Sequence, residues 1–160
     1  MSKRSAGLVM YRIREKQLEV FLVHPGGPFW VNKDKGAWAI PKGQVDDGEE
    51  ALDAARREFQ EETGFLAHGE FLELGTIRQL SGKLVDAWAF EGDCDPDKLR
   101  SITCEVEWPP RSKRMIEVPE VDRGQWFTIN AAHESIIESQ RPFLVTLCAA
   151  LNCDADGRLA

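Results

Sequence analysis

Positive charge is in short supply in this chain. Lys and Arg together number 20 against 27 Asp and Glu, a formal net charge of −7 over 160 residues. Non-specific binding of nucleic acid needs a basic field, so the balance argues against that class of function. It leaves room for a small phosphorylated substrate met by cations and a few local basic side chains. Paired cysteines are missing too: Cys94, Cys104, Cys148 and Cys153 form no CxxC pair, and His24, His68 and His133 show no metal-ligand spacing. A structural zinc site is therefore disfavoured, and the cysteines read as reduced, partly buried thiols. No stretch approaches the ~18 apolar residues of a membrane span. The apolar run from Ala6 to Tyr11 is too short for a signal-peptide core, and no cleavage site follows it. A cytoplasmic protein without a membrane partner is expected. Repeats, low-complexity segments and linkers are also lacking. The length suits one domain, expected over residues 1–160 with 154–160 as a frayed tail. A hydrophobic fraction of 42% is enough for an ordinary core.

What is present alternates between strand and helix signals. Ala6 to Ile13 and Leu18 to Val23 read as two strands of a hairpin around Glu15-Lys16-Gln17. His24-Pro25-Gly26-Gly27-Pro28 breaks regular structure, and Trp38-Ala39-Ile40-Pro41 is a short extended piece. The strongest helix runs from about Gly48 to Thr63. Asp47 is its expected cap, with Glu50 three residues on, and Gly64 is its stop. Further strands are expected at Phe71–Leu74 with Thr76–Leu80, at Leu84–Phe90, at Ser101–Trp108 and at Val121–Phe127. A helix capped by Asn130 and a last helix entered at Pro142 complete the pattern. The sum is an α+β domain with a sheet, one central helix and C-terminal helices.

The central helix carries the chemistry. Glu58, Glu61 and Glu62 lie at i, i+3 and i+4, so one helix face presents three carboxylates. Like charges at this spacing repel, and they sit near the C-terminal end, where the helix dipole also disfavours anions. A solvated acidic face is the ordinary meaning of such a run. Cations would relieve the strain, and clustered hard oxygens suit Mg²⁺ or Mn²⁺. The surroundings favour the second meaning. Gly43 allows close backbone approach before the helix. Glu49 and Arg57, about two turns apart, can pair and buttress the cluster, while Phe59 and Phe65 flank it as core anchors.

Residues 43–65 resemble the signature of the Nudix family at every fixed position. That signature is Gly, five residues, Glu, seven residues, Arg-Glu, a bulky apolar residue, any residue, Glu-Glu, any residue, Gly and a bulky apolar residue. Here Gly43, Glu49, Arg57, Glu58, Phe59, Glu61, Glu62, Gly64 and Phe65 fill it. The Pro41-Lys42-Gly43 approach resembles a bacterial subgroup described as predicted NTP pyrophosphohydrolases, and is also similar to diadenosine-polyphosphate hydrolases. The resemblance implies an α/β/α sandwich around a mixed β-sheet. It implies hydrolysis of a phosphoanhydride in a nucleoside diphosphate linked to another moiety, an NTP pyrophosphohydrolase being the first expectation. A dinucleoside polyphosphate or nucleotide-sugar hydrolase is the alternative, and a non-catalytic nucleotide-binding regulatory module the alternative of another class. Carried over, Glu58, Glu61 and Glu62 would bind two or three Mg²⁺ or Mn²⁺ ions together with the Gly43 carbonyl. Glu61, rather than Glu58, is the expected base, and Glu49 and Arg57 orient the carboxylates.

Residues outside the signature complete the expectation. Glu120 is the first candidate for a further metal ligand, ahead of Glu105 and Glu107. Lys42 is the nearest phosphate-binding candidate. Arg4, Lys33, Lys35, Arg78, Arg111, Lys113 and Arg114 are more distant ones, and 111–114 reads as a mobile basic loop. Of the five tryptophans, Trp30 and Trp38 are the candidates for stacking a base. The partner expected is a small-molecule nucleotide, not nucleic acid, and a homodimer is compatible with the sequence.

Overall fold

A computed structural model describes residues 4–160; Met1–Lys3, which hold the expected start of the domain and of a leaderless N-terminus, lie outside the described residues. Eight strands and three helices follow in the order β1 (Arg4–Arg14), β2 (Gln17–Pro25), β3 (Lys42–Gln44), α1 (Ala51–Thr63), β4 (Leu72–Arg78), β5 (Leu84–Glu91), β6 (Thr103–Glu107), β7 (Met115–Pro119), β8 (Val121–Thr128), α2 (Ile129–Ser135) and α3 (Arg141–Ala150). The main sheet has the order β4-β5-β1-β2-β8, with β3 beside one end of β1. Its β1–β5 pair is parallel and its other pairs are antiparallel, so the expected mixed sheet is present. β6 and β7 form a separate two-stranded ribbon.

Both faces of the sheet are covered, and that is why β1 is apolar without a break from Ala6 to Tyr11. Ala6, Leu8 and Met10 of β1 pack with Phe21, Phe90 and the α1 residues Ala54, Ala55 and Phe59. Val9 points the other way, into a core with Leu18, Leu22, Val85, Ile129, Phe143 and Leu147 that seats α2 and α3. The result is the α/β/α sandwich. Among the described residues no helix is long and apolar enough to cross a membrane.

Several local expectations are corrected. The central helix starts at Ala51, not near Gly48, and Asp47 does not cap it; Glu50 occupies the cap position without a side-chain bond. Gly48, at φ 78, turns the chain so that the Glu49 carboxylate accepts the Asp46 N–H and is free to meet Arg57. The next helix is capped by the Thr128 hydroxyl, which accepts the Ala131 N–H, rather than by Asn130. The two segments expected at 71–80 are one strand, β4, with a register shift between Glu73 and Gly75. β7 was not expected, and the turn before it is tied rather than mobile: the Glu107 carboxylate accepts the backbone N–H groups of Arg111 and Lys113. The segment expected as a frayed tail makes backbone contacts with the β1–β2 turn. Leu18 donates to the Gly157 carbonyl and Leu159 to that of Lys16, and Gly157 is buried against Ile129.

Candidate active site

The site grows from the C-terminal half of α1. Phe59 and Ala55 face the sheet, which turns Glu58 and Glu62 toward β3 and leaves Glu61 on the flank. Gly64, in the left-handed conformation, ends the helix and donates to the Gln60 carbonyl. The chain then returns past the helix end. Arg100 donates to the Thr63 carbonyl and Ile102 to that of Glu61, while the Ile102 carbonyl accepts the N–H of Glu120. This backbone relay ties Glu120, between β7 and β8, to α1. On its other side the Glu120 carbonyl accepts the Gly26 N–H.

The consequence is a three-carboxylate cluster. Oxygens of Glu58, Glu62 and Glu120 all lie within 4.8 Å of one another. Burial, then the charges of Glu58 and Glu120, push the Glu62 carboxyl up to about 8. Glu58 is raised by burial against the opposing pull of Arg57, and Glu120 by burial and the neighbouring Glu61 charge. Three half-buried acids that raise one another form a set suited to a hard divalent cation. Such an ion would offset the mutual repulsion of these carboxylates.

Arg57 organises the flank. Its Nε and Nη2 fork onto Glu49 at 3.0 Å each. Its Nη1 donates to Glu58 at 2.9 Å and to Glu61 at 3.2 Å, and Nη2 also reaches the Gln44 carbonyl. These carboxylates hold the guanidinium well above its usual range, Glu49 first. The same bond, with the Asp46 N–H, keeps the Glu49 carboxyl low. Gly43 leaves room for the Glu58 carboxylate: a Cβ there would overlap that group and force it to move. Lys42 sits beside the cluster, its ammonium lowered by burial and by the like charge of Lys83, with Glu62 and Glu58 pulling the other way.

A cavity of about 470 Å³ opens from the cluster. Its walls are mainly apolar, from Val23, Ala39, Val106 and Ile137, with Trp30 on one side and Lys42, Glu62 and Glu120 at its charged end. Trp30 is thus placed where a base could stack. Trp38 is not: it is 1% exposed, donates its indole N–H to Asp34 and packs edge-on against Phe127 and His24. Burial between β2 and α2 corrects its reading as a stacking residue. Glu105 and Glu107 are exposed on β6, outside the cluster. Of the remote basic residues, Arg4 pairs with Asp86 and Lys35 with Glu134. Gln79 and Cys104, which also line the cavity, carry no sequence signal that would have marked them.

His24 holds the cavity wall from behind. It is fully buried, with Nδ1 2.9 Å from Asp122 and Nε2 2.6 Å from the Lys33 carbonyl. Both ring nitrogens face oxygen acceptors, so the imidazole clamps the segment that carries Trp30 to β8.

Comparison with known proteins agrees with this architecture. The family model described as the NUDIX domain matches residues 1–147. An uncharacterized 17.7 kDa protein from the e-segB intergenic region of Enterobacteria phage T4 is 35% identical over 135 residues, 79% of this chain and 86% of the phage protein. An RNA pyrophosphohydrolase of Novosphingobium aromaticivorans is 47% identical over 53 residues, which are 30% of this chain and 33% of that enzyme. Among solved structures, a C. elegans Ap4A hydrolase binary complex superposes with a TM-score of 0.65 at 22% identity, covering 92% of this chain and 98% of that one. At that identity the likeness is one of fold.

Proposed function

This chain belongs to the Nudix family, and from that premise we propose that it hydrolyses a phosphoanhydride bond in a nucleoside diphosphate linked to another moiety, with NTPs as the first substrates to test. The observation that carries the reading is the convergence of Glu58, Glu62 and Glu120 within 4.8 Å at the charged end of a cavity with a tryptophan in its wall. The similarity to an RNA pyrophosphohydrolase over 53 residues supports a pyrophosphate-cleaving reaction on a nucleotide derivative. The substrate partner is then a small molecule, acted on in the cytoplasm by a single domain over residues 1–160.

The donor set fits Mg²⁺ or Mn²⁺, since all three groups are hard carboxylate oxygens drawn together at a cost that a cation would offset. Glu58, Glu62, Glu120 and the Gly43 carbonyl would hold two or three such ions, with Glu61 at the edge of the set. When bound, they would neutralise phosphoryl charge and acidify the attacking water. The chain's own residues do the rest. Glu61, half-exposed beside the cluster and hydrogen-bonded to Arg57 at 3.2 Å, accepts the proton of the water. Arg57, braced by Glu49, fixes the orientation of Glu58 and Glu61. Lys42 meets a phosphoryl oxygen, and Trp30 stacks the base.

A phosphate-release screen tests this. Purified protein with Mg²⁺ or Mn²⁺ is given canonical and oxidised NTPs, dinucleoside polyphosphates, ADP-ribose and nucleotide sugars, beside Glu61→Gln and Glu62→Gln. The expected result is metal-dependent turnover of one class, lost in EDTA. Glu61→Gln should lower kcat with metal affinity retained, whereas Glu62→Gln should weaken metal binding. Nucleotide binding without turnover of any class would replace the hydrolase by a binding module.

A further inference from the structure

A second, smaller cleft lies on the far side of Trp30. It has a volume of about 200 Å³ between the loop at 26–30 and the β6–β7 ribbon, with Phe29, Trp30 and Trp108 in its walls beside Pro28 and Pro110. Gly26, Trp30 and Val106 line both this cleft and the larger cavity, so the two spaces share one wall.

None of the three aromatic rings serves the interior. Phe29, Trp30 and Trp108 belong to neither core cluster, and Phe29 is 56% exposed. The ribbon that supplies Trp108 joins no strand of the main sheet. Trp30 and Trp108 are half-buried, and clustered rings left partly open outside the core are characteristic of a binding surface. Phe29 and Trp30 stand edge-to-face at 4.9 Å, a rigid corner that would not need to reorder on binding. The electrostatics select the occupant. The Lys33 ammonium lies 4.5 Å from the Phe29 ring centre, and Arg111, Lys113 and Arg114 are exposed on the turn that begins beside Pro110. The single carboxylate in the wall, Glu107, is turned to the N–H groups of that turn. An aromatic-walled cleft with a lysine over one ring and a basic turn beside it, in a protein of net negative charge, suits an aromatic ring carried on a polyanion.

We propose that this cleft binds a second nucleobase, so that the preferred substrate carries two ring systems, one on each side of Trp30. This rests on the hydrolase reading for what is cleaved, but not for what is bound. The two sources of a second base are the distal nucleoside of a dinucleoside polyphosphate and the next nucleotide of a 5′-triphosphorylated RNA end. The dinucleoside source fits better, because an RNA chain continuing past the cleft would meet an acidic protein.

The test compares ligands that differ by one nucleoside. Calorimetric titration in Mg²⁺ measures diadenosine tetraphosphate against adenosine 5′-tetraphosphate, and pppApG against ATP. Wild type is used where it does not hydrolyse the ligand, and Glu61→Gln where it does; turnover is followed separately. One additional stacked base should tighten binding about ten-fold. Trp108→Ala should remove that advantage, and Trp108→Phe, which keeps a ring, should retain most of it. The same Trp108-dependent gain confined to pppApG assigns the cleft to the RNA source. Equal affinities within each pair, or an advantage that survives Trp108→Ala, overturn the cleft. Turnover of both tetraphosphates at equal affinity sinks the cleft and leaves the hydrolase standing. A Trp108-dependent advantage with no turnover does the reverse.

Discussion

Replacing Glu62 with glutamine should stabilise the metal-free protein, and by more as the pH rises. The Glu62 carboxyl is pushed from an ordinary 4.5 up to about 8 by burial and by Glu58 and Glu120. Between those values the unfolded chain has released the proton and the folded chain still holds it. The folded state therefore binds more protons, and stability falls as pH rises through this window, reaching its floor above about 8. Each pH unit of displacement corresponds to about 1.4 kcal/mol. Because the three acids titrate as a set, the loss assigned to this position is about 2–5 kcal/mol. Glutamine keeps the shape and a carbonyl acceptor but cannot ionise. Urea unfolding in EDTA should then show the variant about 2–5 kcal/mol more stable than wild type at pH 9, and nearly equal to it at pH 5. With Mg²⁺ the order should invert, since only the wild type gains the full binding energy of the ion. A stability difference that is the same at pH 5 and pH 9 in EDTA would refute the account of the cluster.

Three other changes probe its supports. Gly43→Ala places a methyl inside the Glu58 carboxylate; displacing that group should lower kcat/KM by at least ~100-fold, while a variant within two-fold of wild type would show that the contact is slack. Arg57→Lys loses the fork onto Glu49 and keeps at most one of the contacts to Glu58 and Glu61. A fall of about 10–100-fold in kcat/KM is expected, mostly in kcat, and an effect on KM alone would contradict an orienting role. His24→Ala removes the buried clamp between Asp122 and the Lys33 carbonyl. It should cost about 2–4 kcal/mol and speed amide exchange across residues 26–36; unchanged exchange there would mean that other contacts hold the loop.

The chemistry of this protein was legible where it is written in local spacing. Glu58, Glu61 and Glu62 share a helix face because of where they fall in the 3.6-residue repeat. Gly64 stops the helix because only a residue tolerant of left-handed backbone fits there. Arg57 reaches Glu49, eight residues earlier, even though Glu49 precedes the helix, because the turn at Gly48 presents its carboxylate. The same helix starts at Ala51 rather than near Gly48, because Gly48 takes left-handed backbone that a helix cannot contain. Trp30 and Trp38 looked alike as sequence. They separate only once Ala39 pairs with Val23 and Trp38 with Ile136, which seals one indole in the core and leaves the other in a cavity wall.

Sequence by itself therefore determined the body of the helix, its carboxylate face and the arginine that braces it, because each of these depends on contacts between residues close along the chain. Glu120 stood first among the candidates outside the signature, but only the tertiary structure brings it within 4.8 Å of Glu58 and Glu62. The hydrogen bonds from Ile102 to Glu61 and from Glu120 to Ile102 join segments that are distant along the chain. It also decided that two clefts share the Trp30 wall. Contacts of that range depend on how the sheet and the β6–β7 ribbon are assembled, and no periodicity in the sequence encodes the distance between them.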